Sequence, residues 1–261
     1  MLRTRIITAV VSLLALGAVL FLVPPGAAEP IIAALILVGA WEWSGFLNLR
    51  DNIARSLYVG LIGALMAAMV LVFQEQTDLL LRIGCGWWFL AFIWTFFFPT
   101  PIPAALRWIC GALVLVPLFV ALLLLYRGDP EMLLFALLIV WATDVGAYFA
   151  GTKFGRVKLA PRISPGKTWE GVIGGLLVVV LLAFAWANYS AMPLAVLLPF
   201  CLAVGALSIV GDLTVSMFKR TTGVKDSGTL FPGHGGVLDR IDSIAAATPL
   251  FVLGLAWLGL G

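Results

Sequence analysis

Hydrophobic positions in this chain do not alternate with polar ones at a soluble period; they run on. Apolar runs at about 6–23, 31–47, 56–73, 83–98, 108–126, 132–150, 171–190, 193–211 and 244–260 are long enough, or nearly so, to cross ~30 Å of hydrocarbon as helices. The pattern predicts an all-α polytopic membrane protein of about nine transmembrane helices with two polar cytoplasmic loops. About five helices fall in residues 1–130 and about four in 131–261, the half expected to carry the chemistry. Pro24-Pro25, Pro99 to Pro103 and Pro130 punctuate joints between runs. Pro117, Pro199 and Pro249 fall inside runs, where neighbouring groups can satisfy the freed carbonyls.

The first run has a basic start at Arg3 and Arg5 and ends near Gly26-Ala27-Ala28, as a cleaved signal would. Its apolar stretch exceeds the ~7–15 residues of a signal core, which favours an uncleaved helix. Lys and Arg set the orientation. With the N-terminus in the cytoplasm and nine runs threaded alternately, only Arg82 and Arg127 fall outside, against fourteen cations inside. The long polar segments 151–170 and 212–243 then share the cytoplasmic face.

Composition agrees: 62% of residues are hydrophobic and 11% charged, which excludes an ordinary soluble domain with its charged fraction near a quarter. Cys85, Cys110 and Cys201 lie in three separate apolar runs without metal-ligand spacing and read as small hydrophobes.

Charge is concentrated. Seven of the chain's 29 charged residues, and its one histidine, lie between Ser216 and Asp242. Beside a bilayer each such charge must be paired, solvated or bound to something. Asp212 closes the eighth run, and Ser216 and Lys219 follow at helical steps that keep all three on one face. Asp239 and Asp242, three apart at the entry to the ninth run, also share a face. Carboxylates converging at the membrane border suit a hard divalent cation that is shared with substrate phosphates. Lys219, Arg220, Lys225 and Arg240 can neutralise phosphates. Gly228, Gly233, Gly235 and Gly236 would let the intervening loop approach a ligand closely. Helix caps and interfacial salt bridges explain only one or two of these charges.

Two further acids lie within runs. Asp144, in WATDVGAYFAG, is costly there unless it is paired with a loop lysine or bound to metal. Glu42, in the WEW of the second run, reads as a buried structural acid or one that reaches the interface, with no catalytic role expected. The loop after Asp144 holds Lys153, Arg156, Lys158, Arg162 and Lys167. Its Gly166-Lys167-Thr168 fails the P-loop pattern, because Pro161 stands where glycine is required. Positive-inside topology explains such cations by itself. Ser164 to Thr168, just before a helix start, could also cradle phosphate oxygens through N–H groups.

Ser216-x-Phe218-Lys219-Arg220, Lys225-Asp226 and His234-Gly235-Gly236-x-x-Asp239-Arg240-x-Asp242 resemble the signature of the phosphatidate cytidylyltransferases, or CDP-diacylglycerol synthases. Asp144-Val145-Gly146-Ala147-Tyr148 and Ser164 to Gly171 are similar to further motifs of that family. The resemblance implies transfer of the cytidylyl group of CTP to phosphatidic acid, with Mg²⁺, in the cytoplasmic membrane. It also implies a homodimer and a second, monovalent cation, neither of which the residues themselves indicate. On this reading Asp144, Asp212, Asp239 and Asp242 hold the metal. Lys167, Lys219, Arg220, Lys225 and Arg240 hold the phosphates, with Ser164, Ser216, Gly235 and Gly236 beside the substrates. Asp226 orients Lys225 or reaches the metal, and His234 donates to a phosphate or orders the Gly235-Gly236 turn. CTP, phosphatidic acid and membrane lipids are the expected partners, with no nucleic acid. A membrane lipid kinase using CTP would put the γ-phosphate on the lipid instead. A CDP-alcohol phosphotransferase would need an Asp-Gly-x-x-Ala-Arg run that is missing, and a transporter would more often show paired repeats.

Overall fold

A computed structural model describes residues 17–18, 21–49, 51–190, 192–230 and 235–259. Eight helices there are long and apolar enough to cross a membrane. They are α1 (Pro25–Ser44), α2 (Asn52–Leu71), α3 (Thr77–Phe96), α4 (Ala104–Gly128), α5 (Pro130–Phe154), α6 (Trp169–Ser190), α7 (Leu194–Thr221) and α8 (Leu238–Leu258). Each corresponds to one predicted run, and the first run lies almost wholly outside the described residues. The helices outrun the apolar stretches because amphipathic turns continue them past the hydrocarbon. At 1.5 Å per residue the 28-residue α7 is about 42 Å long, so roughly two turns project beyond a ~30 Å core. Those turns carry Ser216, Lys219 and Arg220.

One addition to the all-helical expectation lies in the loop after α5. Residues Lys158–Ala160 (β1) and Ser164–Thr168 (β2) pair as an antiparallel hairpin, Lys158 opposite Thr168 and Ala160 opposite Ser164. Both oxygens of Glu170 accept from the Val157 N–H, at 3.1 and 3.3 Å, which holds the hairpin's first strand against the start of α6. Thr168 caps α6 by accepting from the Gly171 N–H at 3.2 Å.

The helices run alternately up and down. One end gathers the C-termini of α1, α3, α5 and α7 with the N-termini of α2, α4, α6 and α8. Every described cation except Arg82 and Arg127 belongs to this end. Arg55 donates to the Ser44 hydroxyl at 2.7 Å and the Trp41 carbonyl at 3.0 Å. Arg107 donates to the carbonyls of Phe46 and Ile102, at 2.8 and 2.9 Å. Two arginines thus satisfy chain carbonyls around the C-terminal end of α1, where cations are favoured. At the opposite end Arg127 grips Glu29 through two bonds of 2.7 and 2.8 Å, joining α4 to α1.

With no hydrophobic effect between helices in lipid, close packing depends on small residues. Gly146 and Ala150 of α5 face Gly174 and Gly175 of α6, and Ala147 and Gly151 face Gly171; a Cβ on Gly146 would lie 2.8 Å from the Gly174 carbonyl oxygen. This seam fixes the helix that carries Asp144 against the one that follows the hairpin. Buried aromatics position the other half of the polar end. Phe218 of α7 packs between Trp43 of α1 and Trp94 of α3, with ring centroids 5.0 and 6.1 Å away.

Candidate functional site: a crevice of carboxylates and cations at the polar end

Asp144 lies ten residues before the end of α5, and Asp212 nine before the end of α7. At 1.5 Å per residue both are about 14–15 Å from those ends, at matching depth. Asp144 is exposed, although flanked by the apolar length of its helix. A carboxylate at that depth is costly in bare hydrocarbon, which implies a polar crevice between the helices. Asp212 lies within its electrostatic range, as do Lys167 and Arg240.

The crevice is closed on one side by the hairpin. Lys167, near the end of β2, reaches α7 and places Nζ 2.6 Å from Asp212 Oδ2. The other Asp212 oxygen accepts from the Ser216 hydroxyl, one turn along α7, at 3.1 Å. Gly166-Lys167-Thr168 is therefore strand and helix cap, and its lysine points into the crevice. Arg220 Nε donates to the Ile163 carbonyl at 3.0 Å, tying the end of α7 to the hairpin turn.

Asp242, 5% exposed, is also within electrostatic range of Asp212, Lys167 and Lys219. Its Oδ1 accepts from the Ser243 N–H at 2.8 Å. Asp239 is engaged differently. Lys219 Nζ lies 2.7 Å from its Oδ1, and Oδ2 accepts from the N–H groups of Ser227 and Gly236, both at 2.9 Å. The Lys219–Asp239 pair is nearly enclosed, with side chains 10% and 7% exposed. Lys225, Asp226 and Arg240 are exposed and Ser164 is half-buried. His234 and Gly233 lie outside the described residues.

These placements bear on the metal. Hard oxygen donors are present, and Asp144 and Asp212 lie within electrostatic range of each other; a few carboxylates shared with waters and substrate phosphates is the manner in which Mg²⁺ is usually held. Among the described residues no three acidic, cysteine or histidine side chains converge into a ready-made cation site. Asp239, with both oxygens on chain donors, fits the role least.

Of the two readings of Glu42, buried structural acid or one reaching the interface, the structure shows the first and supplies its partners. Its buried carboxylate accepts from the Ser227 hydroxyl (2.9 Å) and from the N–H groups of Val237 (3.0 Å) and Leu238 (2.8 Å). Added Cβ atoms on Gly228 or Gly236 would run into this carboxylate. These glycines let the loop close on Glu42, where the sequence alone had them approaching a ligand. The acid in WEW was visible; its donors, 185 to 196 residues away, were not.

A helical membrane bundle that collects carboxylates, lysines and arginines in one crevice at its polar end has the make-up of an enzyme acting on phosphates at the membrane border. The chain belongs to the cytidylyltransferase family, whose model matches residues 3–258. It is 41% identical to a phosphatidate cytidylyltransferase of Pseudomonas aeruginosa over 98% of this chain and 97% of that protein. A phosphatidate cytidylyltransferase of Haemophilus influenzae is 38% identical, covering 96% and 97%, and one of Thermotoga maritima 35%, covering 95% and 94%.

Proposed function

We propose that this chain transfers the cytidylyl group of CTP to phosphatidic acid, giving CDP-diacylglycerol and pyrophosphate. The observation that carries the reading is the Lys167–Asp212 pair opposed to Asp144 in one crevice, in a chain of this family. An oxygen of the lipid phosphate attacks the α-phosphorus of CTP. The new P–O bond forms as the bond from that phosphorus to the α,β-bridging oxygen breaks, and pyrophosphate leaves with the electron pair. A phosphomonoester, with a second pKa near ~6, is largely dianionic at neutral pH, so no strong base is needed. The obstacle is bringing anions together, which makes positioning and charge neutralisation the main contributions.

Asp144 and Asp212 would hold Mg²⁺, with Asp242 behind them. When bound, the ion neutralises charge on the phosphate oxygens. Lys167 presents its ammonium group to the same oxygens, and the exposed Lys225 and Arg240 gather the triphosphate or lipid phosphate at the mouth of the crevice. Arg220 and the enclosed Lys219–Asp239 pair hold the frame.

The cation asymmetry between the two ends favours a polar end facing the cytoplasm, where CTP is found. The relatives named above are bacterial, which favours the inner membrane. Purified protein incubated with CTP, Mg²⁺ and phosphatidic acid should give CDP-lipid and pyrophosphate in equal amounts by mass detection. Consumption of CTP without a nucleotide-bearing lipid would overturn the reading.

A further inference from the structure

We infer that Glu42 is a positioning residue for the proposed reaction, a carboxylate latch that sets the start of α8 and, through it, the crevice. The inference rests on the cytidylyl-transfer reading. Three observations converge on this residue. It is 6% exposed, so it does not serve as a surface charge. Its partners are neutral donors from one segment, Ser227, Val237 and Leu238, and both oxygens face backbone N–H groups. Gly228 and Gly236 lie too close to it for any side chain, so the segment is shaped around this one group.

The consequence travels a short way. Leu238 is the first residue of α8 and Asp239 the next. Asp239 in turn holds Lys219, Ser227 and Gly236. Asp242 follows one turn later, beside Asp212. A helix N-terminus normally offers unpaired N–H groups to an anion. Here Glu42, from a helix nearly two hundred residues earlier, takes that place. The first half of the chain thereby fixes the geometry of the second.

Both oxygens are required. In Glu42→Gln one oxygen becomes an NH₂ that must face a backbone N–H, donor against donor, with almost no change in volume. A displacement of about 1 Å in a positioned group can cost about a hundredfold in rate. Glu42→Gln should therefore lower kcat by about tenfold or more, with a smaller change in KM for CTP. Glu42→Asp, which keeps both oxygens on a shorter stem, should recover part of that loss.

Hydrogen exchange on the purified full chain supplies the second measurement. The peptide carrying the Val237 and Leu238 amides should exchange faster in Glu42→Gln while peptides from α5 and α6 keep their wild-type rates. Wild-type kcat in Glu42→Gln would overturn the inference. So would a kcat loss accompanied by faster exchange throughout the bundle, because that marks general destabilisation. If the wild-type protein makes no CDP-lipid, the functional reading fails, and exchange alone then decides whether the latch exists: unchanged rates at Val237 and Leu238 refute it.

Discussion

Lys167 of the hairpin and Asp212 of α7 meet 2.6 Å apart, Nζ to Oδ2, with a quarter to a third of each side chain open to solvent. The pair joins the two polar segments of the chain into one crevice. A phosphate entering the crevice would find an ammonium already oriented, and a cation would find a carboxylate.

Removing either member should therefore cost catalysis more than folding. Asp212→Asn keeps the Ser216 contact and the side-chain volume but loses the charge. We expect turnover to fall by about a hundredfold or more, the scale seen when one preorganised electrostatic group is removed. Steady-state rates for purified Asp212→Asn and Lys167→Met, beside size-exclusion profiles matching the wild type, check this. Near-normal rates in both would remove the pair from the mechanism.

The Lys219–Asp239 pair should behave in the opposite way. It is nearly enclosed, and removing one partner from such a pair leaves a buried charge uncompensated, at a cost of about 3 kcal/mol. Lys219→Met should lower the thermal unfolding midpoint clearly. The double variant Lys219→Met with Asp239→Asn should regain part of the loss, because no lone charge remains. Equal midpoints for all three proteins would contradict the assignment of Asp239 to the frame.

Much of this was legible in the sequence. Apolar runs of spanning length located the eight described helices, because the bilayer imposes its thickness on any chain that crosses it. Asp144, Asp212 and Lys167 stood out because charges within or beside such runs must be explained. Pairing was not legible. Nothing local tells that Lys167 turns to Asp212, that Arg220 reaches Ile163, or that Glu42 waits for Val237 and Leu238. Those contacts depend on how the helices are set side by side, which the small-residue seam of α5 and α6 and the ring cluster around Phe218 decide. The hairpin was missed for a related reason. Its strands, Lys158–Ala160 and Ser164–Thr168, are short, and the bonds just beyond them, from the Trp169 N–H to the Val157 carbonyl and from the Val157 N–H to Glu170, depend on the hairpin already being closed.

The tight fit of the loop on Glu42 makes glycine 236 sensitive. A methyl group there would displace the carboxylate or the backbone, and overpacking of this kind costs about 1–3 kcal/mol. Gly236→Ala should lower both stability and turnover. Gly60→Ala is the control, since a Cβ on Gly60 meets no atom within 4 Å. Thermal midpoints and rates for the two variants separate the outcomes, and equal behaviour would contradict the fit.

Orientation can be read with a thiol reagent. Lys225 belongs to the polar end and Arg82 to the other. In a background lacking the native cysteines, Lys225→Cys should react from the cytoplasmic side of sealed vesicles and Arg82→Cys from the opposite side. Labelling of both from one side would contradict the alternate threading.

Chelation should abolish turnover and Mg²⁺ restore it. Asp144→Asn should raise the Mg²⁺ concentration needed for half-maximal rate, by about tenfold on loss of one of few carboxylate ligands. A rate unaffected by chelator, or an unchanged Mg²⁺ requirement in Asp144→Asn, would remove that residue from the metal.

Which phosphorus is attacked separates a cytidylyl transfer from a kinase reaction, and CTP labelled at one phosphate at a time reads it out. With label on the α-phosphate the lipid product should be radioactive, and with label on the γ-phosphate only pyrophosphate should be. Lipid labelled from the γ position would contradict cytidylyl transfer, since that is the signature of a kinase.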